Sequence, residues 1–223
     1  MQRRPGYARR IVWRAKRTLT RTGRVAREVR AIMDAPSPVK LDLGGIGSGN
    51  RGFRTVNLVE GVDVRADILE VDTFCGDESV DTFLLSHTLE HIPVHRLNGF
   101  LESLYRKLRR GGCTIVIQTD AKRTLELYRW GRIDFYCLRD ILFSPRRSRI
   151  ASVEQTGSDL MQHSFAWGAK DLAHEFGAVG FRPVVAFDAG HWPFDVPSDL
   201  PIQRNEHYFG TPIPNLGVLA KKT

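Results

Sequence analysis

A chain of 223 residues with 42% apolar content and a net charge of +8 has the size of one domain with appendages and enough apolar material for a sizeable core. No apolar run approaches the ~20 residues of a membrane span, and Ile11–Trp13 is too short for a secretory segment. The three cysteines, Cys75, Cys113 and Cys137, lie far apart with no C-x-x-C pair. That argues against a disulfide framework and a thiolate zinc site, and for a reducing, cytoplasmic setting.

The charge is uneven. Residues 1–30 hold eleven Arg and Lys against one acid, Glu28, so this segment carries +10 and the rest of the chain −2. Residues 8–33 read as a helix: Val12, Ala15, Leu19, Val25, Val29 and Ile32 recur at helical steps with arginines between them. Pro36 and Pro38 end it. Residues 1–37 are therefore expected to be a basic amphipathic extension, and 38–223 the folded domain.

In chain order, Val39–Leu43 is a buried strand by composition, and Phe53–Leu58, Val62–Ile68 and Val80–Ser86 are the next three. A helix over 94–109 puts Leu97, Phe100, Leu101, Leu104 and Leu108 on one face, with Gly111 and Gly112 ending it. Cys113–Thr119 is a fifth strand. Residues 121–160 are a mixed stretch rich in aromatics. A helix near Lys170–Phe176 leads to strand Phe181–Phe187, and Asn215–Lys222 closes the chain. This alternation predicts an α/β domain with a mainly parallel sheet.

The glycines of LDLGGIGSGNRGF, Leu41–Phe53, fit two ligands. Gly47–Gly52 matches G-x-G-x-x-G, but a dinucleotide fold needs a full helix between that motif and the next strand. Phe53 follows Gly52 at once and leaves no room for one. The other reading uses Asp42, Gly44, Gly45 and Gly47. Glycines let the backbone approach a ligand closely, and a carboxylate at a strand end suits an amine or a sulfonium better than a phosphate.

Several stretches in order resemble class I S-adenosylmethionine-dependent methyltransferases: KLDLGG at 40–45, TVNL at 55–58, ADI at 66–68, DESVDTFLLSHTLEHI at 77–92 and LRRGGCTIVIQTD at 108–120. The chain is most similar to the small methyltransferase-domain type with SHxLEH after strand four. The resemblance implies a Rossmann-like, doubly wound, seven-stranded sheet whose antiparallel last strand inserts beside the fifth. It implies S-adenosyl-L-methionine as cofactor, with Asp67 on the adenine amine and Ile68 on the ring. Two positions depart from the family: Ile46 stands where many members have glycine, and Val59 where an acid binds the ribose. Glu60, 18 residues after Asp42, is the nearest substitute.

Ser86 and His87 follow the fourth strand, and ligands of open α/β sheets gather at the carboxyl ends of strands. These two residues are expected near the transferred methyl. Candidates for the base that takes an acceptor proton are His87, His163 in MQHSFAW, and Asp120, which also fits a helix cap. His87, His91 and His95 are spaced by four with Glu90 between, but Pro93 interrupts a shared helix face. No metal site is expected. Residues 121–167 would cover the acceptor: Tyr128, Trp130, Phe135, Tyr136, Phe143, Phe165 and Trp167, with Arg129, Arg132, Arg139, Arg146 and Arg147, suit a sugar or an anion, and equally suit an ordinary helical cover.

The expected activity is methyl transfer to an oxygen of a carbohydrate or other small acceptor, the sugar following from the resemblance, since such domains often accompany glycan synthesis. The rival is a non-catalytic module of the same fold that binds nucleic acid or membrane through its basic helix. Residues 1–33 are expected to pack on the body or a second copy, as a homodimer, or to lie on an anionic membrane surface as a peripheral cytoplasmic protein. Nucleic acid is less favoured because the body is not basic.

Overall fold

The computed structural model describes residues 24, 28, 39–45, 52–143, 163–191, 207–208 and 211–223. Their centre is a seven-stranded sheet built from β1 (Lys40–Leu43), β2 (Arg54–Asn57), β3 (Val64–Arg65), β4 (Val80–Ser86), β5 (Leu108–Thr119), β6 (Val184–His191) and β9 (Pro214–Lys221). Their order is β3-β2-β1-β4-β5-β9-β6. Six strands run parallel, and β9 is inserted antiparallel between β5 and β6. The expected class and the placement of the last strand are both met. A short hairpin, β7 (His207–Tyr208) with β8 (Thr211–Pro212), stands apart.

β1, β4 and the second half of β5 are buried along their whole length or nearly so, as strands covered on both faces are, and polar members such as Lys40, Asp42, Thr82 and Gln118 are buried with them. Helices α1 (Val94–Lys107), α2 (Ala121–Arg129), α3 (Phe135–Phe143) and α4 (Ala169–Val179) complete the regular structure. α1 turns Leu97, Phe100, Leu101 and Leu104 onto the sheet. α4 adds Leu172 and Phe176, and Phe181 seats its ring edge-on to both Phe176 and Tyr105. These residues share the larger core with the inward side chains of β1, β4 and β9. The opposite face carries a smaller cluster of Phe53, Leu84, Cys113, Ile115, Ile117, Phe187, Ala189 and Leu219.

Several boundaries differ from the sequence reading. α1 ends at Lys107 and β5 begins at Leu108, so Gly111 and Gly112 lie inside a strand and not at a helix end. They sit where the β4–β5 register shifts, and the glycines make the irregularity. β3 is only two residues long. Asp67 turns the chain out of it by capping a short 3₁₀ helix over Ile68–Thr73, accepting the Leu69 N–H at 2.9 Å. β6 starts at Val184, later than expected, because Phe181 is spent on the core before the strand begins.

Of the basic extension, only Arg24 and Glu28 are among the described residues, and both are helical. Glu28 pairs with Lys221 of β9 at 2.5 Å. Lys221 faces Cys113 across the ladder, so this acid of the extension meets the sheet on the smaller cluster's side. Among the described residues no helix is long and apolar enough to cross a membrane.

Candidate active site

The carboxyl ends of β1, β4 and β5 lie side by side, since Asp42 pairs with Leu84, and Ser86 with Ile117. At the end of β1 the chain turns sharply. Gly44 has φ +86°, and a Cβ there would fall 2.5 Å from Thr88 Oγ1. A Cβ on Gly45 would come 2.7 Å from the Asp42 carboxyl carbon. Both positions therefore require glycine, one for its backbone angle and both for space. Three bonds fix the turn: Gly44 N–H donates to Val56 O (2.8 Å), Thr88 Oγ1 donates to Leu43 O (2.8 Å), and Asn57 Nδ2 donates to Gly44 O (2.9 Å).

The predicted binding residues thus divide. Asp42, Gly44, Gly45 and Ser86 come together on this edge, with Asp67 and Ile68 beyond β3. Asp42 is buried at 3% exposure, and the Ser86 hydroxyl is buried with no hydrogen-bond partner. Glu60 lies in an exposed turn three residues past the end of β2. Gly47 and Ile46 lie outside the described residues, as do Arg146 and Arg147. Asn57, which ends β2 and holds the glycine turn, was missed as a site residue, although TVNL contained it.

His87 follows β4 with φ +48°, a left-handed conformation costly for a side chain of this size. Its N–H donates to Ile117 O at 2.8 Å. The strained backbone brings Nδ1 to 3.3 Å from Glu90 Oε1, leaving Nε2 as the basic ring nitrogen when Nδ1 carries the proton. Glu90 is 5% exposed. Burial acts to raise its pKa, but the His87 hydrogen bond and the charges that His87, His91 and His163 can carry hold it at about 2. Glu90 is therefore a buried carboxylate.

His163 reaches this group from a segment that the SHTLEH motif does not contain. Ser164 N–H donates to Glu90 O at 2.6 Å and Ala121 N–H to Trp167 O at 3.2 Å, so residues 163–167 lie between the motif and the start of α2. The His163 ring stands edge-on to His91, with centroids 4.8 Å apart. Its Nδ1 lies 3.1 Å from Leu142 O, which accepts only if Nδ1 carries the proton. Burial pushes the His163 pKa below the ordinary histidine value, against the pull of Glu90.

Between these groups is a cleft of about 10 Å³, the room one water needs. Glu90, Gln118, His163 and Trp167 line it. Gln118 is 1% exposed with neither amide atom hydrogen-bonded, and the Trp167 indole N–H is likewise buried without a partner. Nothing in the sequence marks Gln118, one polar residue in a buried strand.

Asp120, the third candidate base, caps α2: its carboxylate accepts the Arg123 N–H at 3.1 Å, and its own N–H donates to Pro214 O. Of the seven aromatics expected to cover an acceptor, only Trp167 is buried. Trp130, Phe135, Tyr136 and Phe143 are more than half exposed, so the ordinary core-cover reading fails for them.

No family model matches the sequence, and no curated protein matches it. Among solved structures, an S-adenosylmethionine-dependent methyltransferase from Archaeoglobus fulgidus superposes with TM-score 0.51 at 16% identity, over 92% of this chain and 94% of that one. The chain has the methyltransferase Rossmann-like fold. Another such methyltransferase, from Methanosarcina mazei, gives TM-score 0.48 at 15% identity over 82% and 91% of the two chains. Human N-acetylserotonin methyltransferase gives 0.42 at 16% identity, over 86% of this chain and 51% of that one.

Proposed function

We propose that the chain is an S-adenosylmethionine-dependent methyltransferase acting on an oxygen of a carbohydrate or other small hydroxylated acceptor. The observation that carries this reading is the turn after β1. Two glycines that tolerate no Cβ follow the buried Asp42 carboxylate, Gly45 directly against it, on the same edge as the orphaned Ser86 hydroxyl. A carboxylate and an exposed backbone suit a cationic amino-acid tail, and would repel a pyrophosphate. The donor set therefore fits the cofactor. Asp42 and the Gly44–Gly45 backbone would hold the tail, Asp67 and Ile68 the adenine, and Glu60 is the acid available to the ribose.

The cofactor supplies an activated methyl on a sulfonium. The chain has to place the acceptor hydroxyl in line with it, which by itself lowers the barrier substantially. A base at the end of β4 would take the hydroxyl proton as the O–C bond forms, and His87 is the candidate there. Glu90 would keep the His87 ring in the required tautomer. The sugar preference is supported by the resemblance of the sequence motifs, and by the exposed aromatic and arginine side chains of α2 and α3.

Calorimetry with S-adenosylmethionine and, in parallel, NAD tests the reading. Micromolar binding of the methyl donor and none of NAD is expected. Asp42→Asn should weaken the binding by about tenfold or more, since roughly 1.4 kcal/mol of charge pairing is lost. Absence of binding by the intact chain would overturn the enzyme reading. With an acceptor in hand, His87→Gln should lower kcat by about 10²–10⁴ and leave donor affinity unchanged.

A further inference from the structure

We propose that Glu90, His91 and His163 form a binding site for a divalent transition-metal ion of the zinc type. Two imidazoles and one carboxylate are the donor set of many catalytic zinc and non-haem iron centres. One ligand atom from each residue lies within 4.8 Å of the other two. A loaded tetrahedral site, with metal–ligand bonds of about 2.0–2.1 Å, needs edges of roughly 3.4 Å. Contraction by about that difference is within reach of side-chain rotation, because His91 and His163 are only half-buried.

Three further observations point to a ligand here. Glu90 gives Oε1 to His87, but its Oε2 is buried with no hydrogen-bond partner. A buried carboxylate oxygen left so is costly, and an ion would satisfy it. Leu142 O stands 3.1 Å from His163 Nδ1. An outer-shell carbonyl of this kind commonly orients a metal-binding histidine and leaves Nε2 for the metal. Finally, the adjoining cleft has room for about one water or ion, and the orphaned Gln118 amide faces it. Pro93 breaks the helix face that would have joined His95 to this group, and His163 takes the place His95 cannot.

The site does not depend on the methyl-transfer reading and is testable without a methyl donor. The full chain, without an affinity tag and stripped with EDTA, is titrated with Co²⁺. Expected are visible ligand-field bands that saturate at one equivalent and are displaced by Zn²⁺. Glu90→Gln, His91→Ala and His163→Ala should each weaken binding at least about tenfold, and substitution of the exposed His174 should not. Circular dichroism checks that each variant folds, and His163→Asn and His91→Asn replace any alanine variant that does not. Absence of the bands, or an affinity that the Glu90 and His163 variants leave unmoved, would overturn the proposal.

Discussion

Asp120 shows how one side chain separates into local and chemical roles. It ends β5 at the edge where ligands bind in this fold, so the sequence admits it as a base. In the structure its carboxylate is occupied by the Arg123 N–H, an N-cap worth about 0.5–2 kcal/mol. Asp120→Ala should therefore lower stability by about 1 kcal/mol, and Asp120→Asn, which still caps, by only a few tenths. Urea unfolding of the two variants measures this. Equal losses would mean that the charge, and not the cap, is what matters. His87 and Glu90 lie in one short motif and were legible together. The partnership of His91 with His163 was not, because 72 residues separate them and only the sheet brings the two segments to one edge. Gln118 was hidden for another reason: a single amide in an otherwise apolar strand carries no spacing to read.

At the scale of elements, α1 is locked to the preceding 3₁₀ turn by charge. Lys107, the last residue of α1, is nearly buried and touches both Asp72 and Asp77 at 2.7 Å, and Arg106 pairs with Asp72 as well. Hydrogen bonds from Arg106 and then Lys107 hold the Asp72 carboxyl down at about 2, from an ordinary 3.8. Its folded pKa lies below its unfolded one, so its contribution is present above pH 3.8 and is lost as pH falls toward 2. Asp72→Asn should therefore lower the melting temperature at neutral pH and make little difference near pH 2, a contrast that thermal unfolding at the two pH values reads directly. A deficit that persisted at low pH would show that Asp72 acts through packing. The same junction explains why the element boundaries were only partly legible. The apolar stripe of α1 was plain, but the glycine pair suggested its end. The helix in fact stops earlier, at this charged lock, and the glycines serve the irregular start of β5. β1, β4 and β9 were read almost to the residue because apolar residues recur through each of them, and turn residues such as Pro38 and Gly44 bound the first.

At the scale of the whole molecule, the sheet is completed by β9, its last strand in chain order. β9 pairs with β5 over Cys113–Thr119 on one side and with β6 over Val184–His191 on the other. Leu216, Val218, Leu219 and Ala220 are all buried between the two helical and sheet-face clusters. Gly217 sits so close under the Phe187 ring that a Cβ would come 2.2 Å from it, so the strand is fitted to its neighbour as well as hydrogen-bonded to it. Without β9, two long strands would present open edges to solvent, β6 and α4 would lose their attachment to the rest of the sheet, and the larger core would lose its closing side chains. A chain stopped after Ile213 should therefore show no cooperative thermal transition and should aggregate, whereas loss of Thr223 alone, which is exposed and outside the strand, should leave the transition where it was. Scanning calorimetry of the two truncations decides the point. A cooperative transition in the shorter chain would mean that β1 to β5 fold as a unit by themselves. The candidate site, which is built at the ends of β1, β4 and β5, would then owe nothing to the strand that closes the sheet.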